Sequence, residues 1–195
     1  IIIVAEGATS RDFKRDQTKR KNDLNKLKKS AQNASKIMGV KSLNFLGFPD
    51  NRMDSVDLLD VIKPIENYIF DYQPDCLITH HYGDLNIDHQ IINKAVITAC
   101  RPQPNFCVKR IMSFEIPSST DYQISNHVNS FYPNWYEDVS DFMKFKLSAL
   151  NEYDSEMRQW PHSRSLKNVE YLARIRGSNV GVTFAEAFSL LRFIN

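Results

Sequence analysis

Cys76-Leu77-Ile78-Thr79-His80-His81-Tyr82-Gly83-Asp84-Leu85-Asn86-Ile87-Asp88-His89 passes from a strand-like run to the start of a helix, and that passage decides the fold. Its first four residues form the short apolar run of a strand covered on both faces. Beyond His89, Ile91, Ile92, Ala95, Val96 and Ala99 recur at helical spacing and stop before Pro102. The loop between strand and helix holds His80, His81, His89, Asp84 and Asp88. Open α/β sheets place their chemistry at such points, because the C-terminal ends of the strands form a crevice ringed by helix N-termini.

The same strand-helix unit recurs on either side. Ile1 to Ala5 reads as a strand, and the small polar run Glu6 to Ser10 leads into a helix predicted from about Arg11 to Met38. Leu24, Leu27, Ala31, Ala34 and Ile37 share one of its faces, and Gly39 closes it. Ser42 to Leu46 reads as a strand, and Gly47-Phe48-Pro49-Asp50-Asn51 reads as a turn. A second helix is predicted from about Ser55 to Phe70, bent at Pro64, and Arg110 to Glu115 reads as another strand. The order β-α-β-α-β-α-β with right-handed crossovers predicts an α/β fold: a three-layer, Rossmann-like, mostly parallel sheet with helices on both faces. Further on, Ser118 to Ser130 reads as a polar loop. A helix begins at Val139, another runs from about Ser165 to Gly177, and Val180 to Phe193 is partly strand.

A chain of 195 residues fits one domain, 1–195. With 25% charged and 42% hydrophobic residues and a net charge of +2, the composition is that of a globular protein and selects no partner by charge. The run Lys19 to Lys29 is crossed by an apolar stripe and by Asp23, which makes it a solvated helix face rather than a nucleic-acid patch. No apolar run approaches the ~18 residues of a membrane span, so the default location is the cytoplasm. Cys76, Cys100 and Cys107 form no C-x-x-C pair and read as small buried residues. The opening β-branched run lacks an initiator methionine, from which a preceding segment is expected. Oligomeric state, a homo-oligomer included, is open at this level.

In the Asp84 to His89 segment a carboxylate directly precedes an imidazole at a helix start. A neutral imidazole ligates Zn²⁺, and a neighbouring carboxylate orients its ring. One histidine is not a zinc site, since catalytic zinc takes about three protein ligands. Composition supports a second reading equally: Asp84, Asn86 and Asp88 cap the third helix, with Asp88 favoured by its dipole. Of His80 and His81, adjacent on a strand, at most one faces the crevice.

Gly83-Asp84-Leu85-Asn86-Ile87-Asp88-His89 resembles the second metal motif of the LmbE-like or PIG-L deacetylases, zinc-dependent enzymes that remove N-acetyl groups from amino sugars. Val4 to Asp12 and Phe45 to Arg52 resemble that family's second and third strands with their loops. Pro161-His162-Ser163-Arg164-Ser165, Arg174 to Ser178 and Ala185 to Phe188 resemble its substrate-side signature, in the right order. The resemblance implies a zinc ligand at His89 and a supporting carboxylate at Asp88. The family's first motif, His-Pro-Asp-Asp-Glu, does not occur here; the two further zinc ligands and the general base it carries are expected upstream of Ile1. Without them, the 195 residues alone are expected to be inactive. Many relatives carry histidine where Asn86 stands, and asparagine donates a hydrogen bond but transfers no proton.

The expected reaction is metal-assisted amide hydrolysis, with Asn86 or His162 donating to the oxyanion. Arg52, Arg164, Arg174 and Arg176 offer planar forks for sugar hydroxyls or a phosphate, and Trp135, Tyr136 and Trp160 offer faces for a sugar ring. The implied partner is an N-acetylated amino sugar or glycoconjugate. A rival reading is a metal-free carbohydrate-binding or inactive remnant of this fold. A dinucleotide enzyme is disfavoured, because no G-x-G-x-x-G follows Ile1 to Ala5.

Overall fold

The computed structural model describes residues 1–104, 106–124 and 130–195, so residues 125–129 of the expected polar loop lie outside the described residues. The strands are β1 (Ile2–Ala5), β2 (Asn44–Phe48), β3 (Cys76–His80), β4 (Arg110–Phe114), β5 (Trp135–Asp138) and β6 (Ala185–Phe193). The helices are α1 (Lys21–Ile37), α2 (Leu58–Tyr72), α3 (Ile87–Ala99), α4 (Met143–Asn151) and α5 (Leu166–Ser178). β1 pairs parallel with β2, and β3 pairs parallel with β4. β6 runs antiparallel to β4 and has β5 on its other side, giving the order β3-β4-β6-β5. This is the parallel-rich α/β fold that the alternating pattern predicts. Contacts divide the chain into two units, residues 1–51 with 137–186 and residues 52–136 with 187–195.

In the first unit the predicted first helix is shorter than its periodicity suggests. Thr9–Arg11 form a 3-10 turn, and α1 begins only at Lys21. Between them Asp12 takes Arg20 at 2.6 Å and Lys19 at 2.6 Å, while Asp16 accepts the Lys19 backbone N–H at 2.9 Å. Local side-chain bonds of this kind hold a segment out of helix. Ala31 and Ala34 are buried, and Lys21, Lys26, Lys28, Lys29 and Lys36 are exposed, as the amphipathic stripe requires. Of the expected turn Gly47 to Asn51, Gly47 and Phe48 belong to β2, and the turn falls at Asp50 and Asn51. The pairing slips between Ile3↔Phe45 and Ala5↔Phe48, and Gly47 takes φ 73° in that bulge, where a side chain would be strained. α4 and α5 pack around Met143, Val169 and Ala173, with Leu147, Leu150 and Phe184 against them.

In the second unit, α2 buries Val61, Ile62, Ile65 and Ile69 and contains Pro64. α3 packs on both α2 and β3. α3 starts before His89 rather than after it, which places His89 in its first turn. Cys100 is fully buried and Cys76 and Cys107 are half-buried, all three as free thiols. Burial pushes the Cys100 thiol up to about 11, with Arg192 opposing. Among the described residues no helix is long and apolar enough to cross a membrane.

Candidate active site

Asn86 is the N-cap of α3, its side-chain oxygen accepting the Asp88 backbone N–H at 2.8 Å. The cap fixes the first turn and with it the direction of His89. His89 Nδ1 lies 2.9 Å from Asp84 Oδ2; the Asp84 side chain is 0% exposed and the His89 ring 17%. Asp84 is held in turn by the Thr120 hydroxyl on Oδ1 and by Gln90 Nε2, which donates to its backbone oxygen at 2.6 Å. Ser119 Oγ stands 3.3 Å from the same His89 Nδ1 and accepts the Asn86 backbone N–H at 3.3 Å. His89 is therefore gripped at one ring nitrogen from two loops.

Of the paired histidines, His80 is the one that meets this cluster. Its ring stacks on His89 with centroids 4.2 Å apart and leans on Phe114 at 5.1 Å. Burial pushes His80 down to about 3; His89 adds to the depression and Asp84 opposes it. His80 is thus a neutral aromatic plate behind His89 at neutral pH. Asn93, one turn along α3, donates to the His80 backbone oxygen at 2.8 Å and ties the helix to the strand end. His81 turns the other way and is buried against the rings of Tyr82 and Phe131.

Asp88, which the resemblance makes a supporting carboxylate, lies next to His89 at the start of α3. It is buried, and its Oδ1 accepts the Met53 backbone N–H at 3.0 Å, while the carboxylate on His89 is Asp84. Asp88 thereby anchors the 3-10 turn Met53–Ser55 to α3 and places Arg52, the residue before that turn, in the same unit as His89.

His162, Arg164 and Arg174 belong to the other unit. His162 is half-buried in a tight turn; its Nδ1 accepts the Arg164 backbone N–H at 3.0 Å, so the neutral ring carries its proton on Nε2. Ser165, the N-cap of α5, fixes that turn by donating its backbone N–H to the His162 oxygen at 3.0 Å. Arg164 reaches Glu156 at 3.3 Å, and Arg11 approaches the other Glu156 oxygen. Arg174 lies with its fork on Glu170 at 2.9 Å and its plane 4.5 Å from the Phe184 ring centroid. Also in this unit, Glu6 accepts from Arg15, Thr9 and Gln17, Arg15 bridges to the Gly47 oxygen at 3.0 Å, and Asp50 accepts the Ser10 N–H at 3.1 Å. The two loops that carry the first and second family-like stretches are thus laced together.

The donor chemistry at His89 suits one position of a divalent metal. A carboxylate on Nδ1 leaves Nε2 as the lone-pair nitrogen, the arrangement found behind most metal-bound histidines. Among the described residues no three His, Cys, Asp or Glu side chains gather as a metal-holding group.

Fold and site together define an open-sheet α/β protein with a carboxylate-clamped histidine at the end of a parallel strand. Residues 1–100 match the family described as PIG-L, GlcNAc-PI de-N-acetylase, and the chain belongs to that family. An uncharacterized deacetylase of Escherichia coli K12, YaiS, is 30% identical over 131 residues, 64% of this chain and 63% of its own length. Among solved structures, the N,N'-diacetylchitobiose deacetylase of Pyrococcus horikoshii superposes with a TM-score of 0.73 at 17% identity, covering 98% of this chain and 72% of that one. GalB, the 4-carboxy-2-hydroxymuconate hydratase of Pseudomonas putida KT2440, also gives 0.73, at 16% identity over 100% of this chain and 84% of its own. At such identities the likeness establishes the fold alone, and one fold here carries a deacetylase and a hydratase.

Proposed function

We propose that the protein hydrolyses the acetamide of an N-acetylated amino sugar or its conjugate, with zinc bound in part through His89. The observation that carries this reading is the Asp84–His89 pair at the N-terminus of α3, in a chain of the GlcNAc-PI de-N-acetylase family. The names of the similar proteins support it: one is a deacetylase, another deacetylates a chitobiose derivative. Catalytic zinc takes about three protein ligands, of which His89 is the one this reading assigns. A bound Zn²⁺ supplies Lewis acidity, activating water near neutral pH and polarising the acetamide carbonyl.

This chain's residues do the rest. Asp84 holds the His89 ring in one orientation, and His80 covers its face. Asn86 uses only the oxygen end of its amide in the cap, which leaves the NH₂ end as the oxyanion donor. His162, with its proton on Nε2, is the second donor and the candidate to protonate the leaving amine, a step asparagine cannot perform. Arg52 and Arg164 are assigned to sugar hydroxyls. Arg174, already engaged by Glu170 and Phe184, is the weakest of the three arginine assignments.

The test is metal analysis and acetate release by the full-length protein from N,N'-diacetylchitobiose and N-acetylglucosamine conjugates. Stoichiometric zinc and acetate are expected, with both lost in His89→Ala. A protein that holds no zinc and releases no acetate while still binding the sugar would replace this reading with the metal-free carbohydrate-binding one.

A further inference from the structure

A net charge of +2 conceals an uneven surface in the first unit. α1 exposes Lys21, Lys26, Lys28, Lys29 and Lys36, and its single carboxylate, Asp23, is half-buried and bonded to Arg20 at 3.0 Å. At 3.6 residues per turn, Lys21, Lys28, Lys29 and Lys36 recur about two turns apart and form one row roughly 22 Å long, away from the buried Ala31 and Ala34. Lys26, on the flank, stands 3.8 Å from Asp154. Among the described residues the row itself makes no ion pair. Every exposed charge of this helix is therefore positive.

At the N-terminal end of the row stands Phe13, 95% exposed. The loop that carries it is pinned on both sides. Arg11 pairs with Glu156, Asp12 takes Lys19 and Arg20 at 2.6 Å each, and Arg15 holds Glu6 at 2.8 Å and the Gly47 oxygen at 3.0 Å. Arg20 is the N-cap of α1, so its bonds to Asp12 set Phe13 and the exposed Lys14 beside the start of the row. We propose that α1 and the Phe13 loop form a docking surface for an anionic lipid bilayer, with the phenyl ring entering the boundary between headgroups and acyl chains and the lysines resting on the headgroups. The arginines favour this occupant over nucleic acid. Arg11, Arg15 and Arg20, whose planar forks suit phosphate groups, are all engaged by carboxylates, and what faces outward is an apolar wedge with flexible lysine charges.

The test is sedimentation of the full-length protein with vesicles of phosphatidylcholine containing about 30% phosphatidylserine. Binding is expected at about 0.15 M salt, with a steep fall at about 0.5 M and none to phosphatidylcholine alone. Phe13→Ser is expected to weaken it about ten-fold. Lys21→Gln, Lys29→Gln and Lys36→Gln together are expected to weaken it about a hundred-fold. All four side chains are exposed and have no part in the candidate active site, so circular dichroism and acetate release from soluble N,N'-diacetylchitobiose should match the native protein in every variant. Docking and hydrolysis are thereby read separately. A native protein that stays in solution with the serine-containing vesicles overturns the proposal, and so do variants that bind them as the native chain does. Duplex DNA is the rival probe: tighter binding to DNA than to vesicles, unchanged in Phe13→Ser, would make this a nucleic-acid surface and overturn the proposal as well.

Discussion

Asp84 and Asp88 are both carboxylates in the same loop, and their partners set them apart. Asp84 faces an imidazole, whereas Asp88 faces the Met53 backbone N–H, with Met53 itself 0% exposed. Removing the Asp88 acceptor strands a buried donor, so Asp88→Ala is expected to cost about 1–3 kcal/mol of stability. Asparagine keeps an oxygen for the same N–H, so Asp88→Asn is expected to retain most of it. Urea unfolding of the two variants decides: equal losses would mean that the charge, not the bond to Met53, is what matters at Asp88. The sequence contains both aspartates but not their partners, since adjacency to His89 favours Asp88 while the folded loop delivers Asp84.

At the level of elements, helix ends are where sequence and structure agree best. Asn86 and Ser165 sit as N-caps, each side chain accepting a backbone N–H of the following turn. The C-terminal end of α5 is set by packing instead. A Cβ on Gly177 would meet the Val182 oxygen at 2.6 Å and the Thr183 carbonyl atoms at 3.0 Å, all backbone. Gly177→Ala is therefore expected to destabilise the protein by about 1–3 kcal/mol, despite alanine's higher helix propensity. Thermal unfolding checks it, and a Gly177→Ala variant as stable as the native chain would show that the 182–183 turn yields freely. The start of α1 shows the opposite case. Periodicity alone extends the helix back to Arg11, but ion pairs between Asp12, Lys19 and Arg20 keep that stretch irregular.

For the whole molecule, the loops at the ends of β1 and β2 depend on a charged clamp centred on Glu6. Its side chain is 5% exposed. Burial raises its pKa, but the hydrogen bonds from Arg15, Thr9 and Gln17 outweigh burial and bring it from 4.5 down to about 2. A carboxyl group depressed in the folded state adds stability that is fully present above its unfolded value and disappears as pH falls through its folded one. Glu6→Gln is accordingly expected to be about 1–3 kcal/mol less stable than the native protein above pH 5. The difference should shrink between 4.5 and about 2 and vanish below. Urea midpoints of both proteins across that range test this, and a pH-independent difference would contradict it.

The amino-acid sequence by itself determined the α/β class, the strand-helix alternation and a helix cap within the Asp84 to Asp88 segment. These follow from periodicity and from residues within one or two turns of each other, so the chain's own covalent geometry carries the information. Only the tertiary structure decided that Asp84 holds His89, that His80 rather than His81 covers it, and that Asp88 serves the Met53 turn. It also supplied Thr120, which meets Asp84 from 36 residues away. Hydrogen-bond partners are chosen by which loops the sheet brings side by side, and that proximity is set by how the strands pair, not by spacing along the chain.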